Sequence, residues 1–352
     1  MTMKIAGYAA HSSTQQLVPF TFERREPRPD DVTIDIVYCG VCHSDLHHAR
    51  NDWGHTTYPV VPGHEIIGRV THVGAGVTRF KPGDNVGVGC LVDSCRHCDA
   101  CNDGLEQYCK EGATLTYDDY DRHDDKLLFG GYSESIIVSE RFVLRIPHGL
   151  DLAGAAPLLC AGITTWSPLR YWKISAESKI AVVGLGGLGH MAIKLAKGLG
   201  AHVTLFSRSS GKEADAYRLG TDKVILSSDE AQMKAAEGQF DLIIDTVPYV
   251  HDLNPYMPAL KLNGTLVLVG FLGELDSALN TVPLVRSRKS IAGSLIGGVP
   301  ETQELLDFCA QQGITSDVEI INMQDINQAY ERMQRGDVKY RFVIDMKSLS
   351  LS

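Results

Sequence analysis

The chain has 352 residues, enough for two domains at roughly 100–200 residues each. Hydrophobic residues make up 44% and charged residues 22%, which places it among globular chains, and a formal charge of -10 sets it against phosphate-rich partners. Nucleic acid and an anionic membrane are therefore excluded as main partners. No run of about 18 apolar residues predicts a membrane span. The opening MTMKIAGYAAHSSTQQ lacks the basic-then-apolar pattern of a signal peptide, so a cytoplasmic location is expected. Nine cysteines in such a chain point to metal ligands or buried thiols rather than disulfides.

Residues 1–150 read as β-rich. Short apolar runs such as Val32–Tyr38 and Glu65–Val73 are punctuated by the turn signals PRPDD, VPGH and KPGD. Within this stretch Cys95, Cys98, Cys101 and Cys109 supply four thiolates on one loop. Four cysteines close a tetrahedral site with no open position, which predicts structural zinc; an iron–sulfur cluster is the alternative. Cys39, Cys90 and Cys309 read as packing thiols.

The texture changes near residue 155. Residues 179–206 read strand, glycine turn, helix, strand, with Ile180–Val183 and Val203–Phe206 as continuous apolar runs. Such runs suit a parallel sheet covered on both faces. Further strands are predicted at Lys223–Leu226, Asp241–Asp245, Leu266–Val269 and Ser290–Gly293. This is the pattern of a doubly wound α/β domain. Two helices, Glu301–Gln311 and Asn327–Arg335, and a last strand, YRFVID, follow; this tail is expected to return to the first domain.

The turn Gly184, Leu185, Gly186, Gly187, Leu188, Gly189 follows a strand and opens a helix predicted at Met191–Gly200. The glycines allow a tight turn, close approach to a pyrophosphate and close helix–strand packing. Where an NAD site carries an acid, at the end of the second strand, this chain has Ser207, Arg208, Ser209, Ser210, Gly211 and Lys212. That loop suits the 2′-phosphate of NADP(H); the alternative is a solvated basic loop.

A second set of metal-binding residue types is dispersed: Cys42 in CGVCHSDLH, His64 and Glu65 in PGHEIIG, and Cys160 in PLLCAGITTW. Two thiolates, one imidazole and an open position make a catalytic zinc site. Spacing alone does not join these positions. The run Gly63-His64-Glu65 through Gly68, Gly74 and Val77 resembles the zinc-type alcohol dehydrogenase signature. CGVCHSDLH, APLLCAGITTW, VGLGGLGH, DTVP, RKSIAGSLIGG and DVKYRFVID resemble the cinnamyl alcohol dehydrogenase branch, with its bacterial broad-range aldehyde reductases.

The resemblance implies an α/β chain: a GroES-like β-rich catalytic domain over 1–155, with 298–352 returning to it, and a Rossmann NADP-binding domain over 156–297. It implies two zinc ions per chain, NADP(H), a small aldehyde or alcohol substrate and a homodimer. Catalytic zinc falls on Cys42, His64 and Cys160, with Glu65 as a supporting or alternate ligand. Ser44 takes the position of the hydroxyl beside the substrate oxygen, and His47 that of a proton relay. Cofactor contacts fall on Ser44, Thr164, Gly184–Gly189, Ser207–Lys212, Thr246, Gly270, Ser294, Leu295 and Ile296. Plant monolignol enzymes carry Trp at the place of Thr114, so a broad set of aromatic and aliphatic aldehydes is expected. Two rival readings belong to other classes. A zinc-free enone or quinone reductase on the same fold has no need of Cys42, His64 and Cys160 together. A non-catalytic zinc module has no need of the dinucleotide turn.

Overall fold

A long strand, Asp31–Val41, organises the first sheet by changing partners halfway along. Its first half, Asp31–Asp35, pairs antiparallel with Ser135–Ser139; its second half, Tyr38–Val41, pairs antiparallel with Arg341–Asp345. On its other side it pairs with Ile66–Val73, where the register shifts between Ile36 and Tyr38. Val32, Ile34, Ile66, Ile67, Phe342 and Ile344 from these strands are fully buried. The sheet runs Val318–Asn322, Arg341–Asp345, Asp31–Val41, Ile66–Val73, Asn85–Val88, Leu144–Arg145. A computed structural model describes residues 3–270, 273–275 and 277–349.

The chain divides into two compact units, residues 1–160 with 297–352, and residues 161–296. In the first, the C-terminal segment is tied in by strand Arg341–Asp345 and by Asn327, whose amide group both donates to and accepts from the backbone of Leu17. The hairpin of Met3–Ala9 and Val18–Arg24 is fixed by a buried guanidinium. Arg24 donates to the carbonyls of Ser135, Phe129 and Gly130 and to Ser133 Oγ, at 2.5–3.0 Å. It thereby shapes the turn at 129–133 that presents Tyr132.

In the second unit six parallel strands lie in the order Lys223–Leu226, His202–Ser207, Lys179–Val183, Phe240–Asp245, Leu260–Leu268, Ser290–Gly293. Strand order therefore reverses beside Lys179–Val183, where doubly wound sheets bind dinucleotides. Ile180, Val182, Val203, Leu205, Leu242 and Ile244 are wholly buried, as continuous apolar runs require. The fifth strand begins at Leu260, six residues before the expected Leu266; a register shift between Phe240 and Leu242 takes up Asn263, at a φ of 65°, and Gly264 within it. Asn-Gly reads as a turn in sequence, but here it sits inside the strand. Among the described residues no single helix is long and apolar enough to cross a membrane.

Candidate metal centre and dinucleotide turn

Three distant segments of the first unit meet at one point. Cys42 follows strand Asp31–Val41 and stands at the N-cap of helix His43–Arg50. His64 and Glu65 lead into strand Ile66–Val73, after Gly63 at φ 108°. Cys160 closes the turn Ala156–Leu159, its N–H donating to the Pro157 carbonyl. The ligand atoms of Cys42, His64, Glu65 and Cys160 all lie within 4.8 Å of one another. Cys42 Sγ and Cys160 Sγ are 3.9 Å apart. Two thiolates on one tetrahedral zinc, with Zn–S of ~2.3 Å, would stand about 3.8 Å apart. The donor set and its spacing fit the metal.

Two buried carboxylates support this cluster. Asp45, fully buried, accepts from Cys42 N (2.9 Å), Gly63 N (3.0 Å), Tyr117 Oη (2.8 Å) and Tyr132 Oη (3.2 Å). It also holds His64 Nδ1 at 3.1 Å, which leaves Nε2 as the ligand atom. Burial disfavours charge on His64, but the Asp45 carboxylate outweighs it and holds the imidazole well above its usual range. Burial pushes the Tyr117 and Tyr132 phenols well up, so both stay donors. Glu65 pairs through Oε1 with the buried Arg341, while its Oε2 is buried with no partner. Burial pushes the Glu65 carboxyl up to about 7 against the pull of Arg341. A hydrogen bond from Cys160 holds the Cys42 thiol well below the usual thiol range, and that bond pushes Cys160 well up. Cys90, a packing thiol by sequence, also bonds to Cys160, which lowers it. Asp45 and Arg341 escaped sequence reasoning. The available signals were a carboxylate three residues into a helix after a cysteine, and an arginine inside an apolar strand.

Ser44 Oγ lies 3.7 Å from Cys42 Sγ. His47, one turn further along the helix, has Nδ1 2.7 Å from Asp52 Oδ2, and its side chain is 32% exposed. Thr114 is buried and lines a small cavity with Arg25, Arg28, Arg96 and Asp121.

The four sulfurs of Cys95, Cys98, Cys101 and Cys109 also lie within 4.8 Å of one another. Cys101 Sγ is 3.8 Å from Cys95 Sγ and 3.5 Å from Cys98 Sγ. Backbone N–H groups of Cys95, Cys98 and Lys110 donate to Cys109, Cys95 and Cys98 sulfurs at 3.3–3.5 Å. Such donors favour thiolate, and the Lys110 N–H leads in lowering Cys98 to about 6.

In the second unit the glycine turn has the geometry its spacing predicts. Gly184 takes φ 88° and Gly186 caps helix Gly187–Gly198. The helix begins four residues before the expected Met191, because glycines hide a helical start from propensity. A Cβ on Gly189 would stand 2.2 Å from the Gly184 carbonyl oxygen, whereas a Cβ on Gly186 would meet nothing within 4 Å. The space at Gly186 is the cradle a pyrophosphate requires. Thr246 Oγ1 donates to the Val183 carbonyl at 2.8 Å, beside this turn. Thr164 is buried in helix Ala161–Tyr171, Gly270 packs on the Val247 carbonyl, and Ser294–Ile296 follow the edge strand Ser290–Gly293. At the end of the second strand Ser207 Oγ donates to the Ser209 carbonyl at 2.8 Å, so its proton is committed within the loop. Lys212 Nζ donates to the Leu185 carbonyl at 2.7 Å, which places its charge at the glycine turn.

Both parts of the chain resemble known proteins. Residues 28–148 match the alcohol dehydrogenase GroES-like domain, and residues 187–311 match the zinc-binding dehydrogenase domain. Aldehyde reductase YahK of Escherichia coli (strain K12) is 53% identical over 99% of this chain and 100% of its own length. The structure of a cinnamyl alcohol dehydrogenase from Sorghum bicolor has a TM-score of 0.95 and 45% identity, covering 99% of both chains. That of the Helicobacter pylori CAD complexed with NADP(H) has a TM-score of 0.93 and 41% identity, covering 99% of this chain and 100% of that one. The chain belongs to the zinc-binding alcohol dehydrogenases with a GroES-like domain, in the cinnamyl alcohol dehydrogenase-like branch.

The two glycines should separate fold from ligand. Gly189→Ala is expected to cost about 1–3 kcal/mol of stability by overpacking. Gly186→Ala should leave the denaturation midpoint nearly unchanged while weakening dinucleotide binding about tenfold or more. Equal effects of the two on stability would contradict this division.

Proposed function

We propose that this chain interconverts aldehydes and primary alcohols with NADP(H), and that Cys42, His64 and Cys160 hold the zinc at which it does so. One observation carries the reading: these three residues converge from three segments that span 118 positions, in a chain that also has a complete dinucleotide turn. When bound, zinc supplies Lewis acidity and the nicotinamide supplies the hydride. The chain's own residues then position and exchange protons. Ser44 holds the proton of the alcohol oxygen, and His47, its side chain 32% exposed, passes it outward. Glu65 Oε2, buried without a partner, suits an alternate ligand while Arg341 keeps the other oxygen. The substrate range we propose is broad, over aromatic and aliphatic aldehydes; this rests on the resemblance, in which Thr114 stands where plant monolignol enzymes carry Trp, since the cavity that Thr114 lines is bounded by Arg25, Arg28, Arg96 and Asp121 and by none of the cluster residues.

Two zinc ions per chain follow from the second set of four thiolates, whose spacing encloses one ion rather than a multi-iron cluster. A homodimer is supported by the edge strand Ser290–Gly293, which has one neighbour in its sheet, and by helix Val282–Ser287 before it. On that helix Val282 is 51% and Val285 82% exposed. An open edge beside exposed valines is a docking surface. Nine free thiols suit a reducing cytoplasm.

Metal content tests the two-site reading. Elemental analysis should find two zinc ions per chain. Cys98→Ser should lower yield and stability, whereas Cys42→Ser should remove turnover and leave cofactor binding intact. Near-normal activity in Cys42→Ser would contradict the assignment.

Cofactor choice tests the loop. A charge-assisted hydrogen bond is worth about 1.5–3 kcal/mol, so Arg208→Ala should weaken NADPH binding roughly ten- to a hundredfold, at 1.4 kcal/mol per tenfold. NADH binding should change little. Ser207→Asp should invert the preference by placing an acid against the 2′-phosphate. A wild-type enzyme equally efficient with both cofactors would defeat this reading.

A further inference from the structure

The guanidinium of Arg208 is held. Its Nη2 donates to Tyr249 Oη at 2.7 Å, and its Cζ lies 5.5 Å from the centroid of the Tyr249 ring. Tyr249 sits on the loop after the fourth strand of the sheet, 41 residues away in sequence. That loop is itself anchored. Asp245, buried at the end of the strand, accepts from Val247 N at 3.0 Å and lies 2.8 Å from His251 Nε2. His251 Nδ1 donates to the Tyr249 carbonyl at 2.9 Å. Both the side chain and the backbone of Tyr249 are therefore engaged, although the residue is 49% exposed.

We infer that Tyr249 is a positioning residue for NADP(H) selectivity: it presents Arg208 to the 2′-phosphate. The inference rests on reading Ser207–Lys212 as the 2′-phosphate loop. Arg208 would otherwise be a long cation on a surface loop, and it would lose side-chain entropy each time it bound a phosphate. Contact with Tyr249 removes part of that cost before the cofactor arrives. A guanidinium has five N–H donors, so one bond to Tyr249 leaves four, enough for a two-donor edge toward phosphate. The Tyr249 hydroxyl accepts from Arg208 and so acts on the phosphate only through the guanidinium it holds. Ser207 cannot fill this part while its proton goes to the Ser209 carbonyl. NADH has no group at this position, so the effect is confined to the phosphorylated cofactor.

Tyr249→Phe keeps the ring face and removes only the hydroxyl. Titration of the holo-zinc protein with NADPH and with NADH, by quenching or enhancement of nicotinamide fluorescence, gives both dissociation constants. We expect the ratio of the NADPH to the NADH constant to rise roughly three- to tenfold, the worth of about one hydrogen bond. Tyr249→Ala should raise it further. A purely structural role would weaken both cofactors alike and leave the ratio unmoved. In an Arg208→Ala background, Tyr249→Phe should add less than twofold, since there is no guanidinium left to position. Three results overturn the inference: no change of ratio in Tyr249→Phe, equal weakening of both cofactors, or an undiminished effect without Arg208. If Arg208→Ala alone shows no selective loss of NADPH, the loop reading falls and the inference falls with it. If Arg208→Ala is selective and Tyr249→Phe is silent, only the inference falls.

Discussion

Asp45 is the group on which the proposed metal site depends. Its carboxylate is wholly buried, and five donors converge on it: two backbone N–H groups, two phenols and the imidazole of His64. They come from residues 42, 63, 64, 117 and 132, so one anion fixes the start of a helix, a positive-φ glycine and two loops together. A buried carboxylate without such donors would be driven to neutralise. With them it orients His64 and fixes its tautomer. The Arg24 bonds to the carbonyls of Phe129, Gly130 and Ser135 act one layer further out, shaping the turn that carries Tyr132.

Charge explains why a cation suits the cluster. With Cys42 and Cys160 both as thiolates, they and the carboxylates of Asp45 and Glu65 would face one guanidinium, Arg341, within a largely buried space. Without a metal that excess is relieved by protons, Cys160 being pushed well up and His64 held well above its usual range; a divalent ion would take their place. Arg341 reaches the site because its strand pairs with the second half of Asp31–Val41, where Phe342 stands opposite Val41. The partner switch in that strand thus has a chemical consequence: it places the counter-ion of Glu65 from 276 residues away.

Much of this was legible in the residues. Lys223–Leu226 and Ser290–Gly293 were read with their observed bounds, because short apolar runs between turn signals leave few alternatives. The four-cysteine loop and the glycine turn are local, so spacing alone carries them. The dispersed site is different. Cys42, His64 and Cys160 each read singly as ordinary core or polar residues, and only the family resemblance joined them. Asp45, Tyr117, Tyr132 and Arg341 were missed because their roles are tertiary: a buried polar residue reveals its partner only when the chain is folded. Tyr249 was missed for the same reason, its bond to Arg208 spanning 41 positions.

The most direct test of the account is the zinc X-ray absorption spectrum of the purified, two-zinc enzyme. Four cysteines on one ion, and Cys42, Cys160, the His64 imidazole and one oxygen on the other, average to about three sulfurs at ~2.3 Å and one nitrogen or oxygen near 2.0–2.2 Å per zinc. Outer-shell scattering from a single imidazole should accompany them. An all-sulfur environment, or one without imidazole scattering, would show that His64 is not a ligand and that the Asp45-centred site is not the metal centre described.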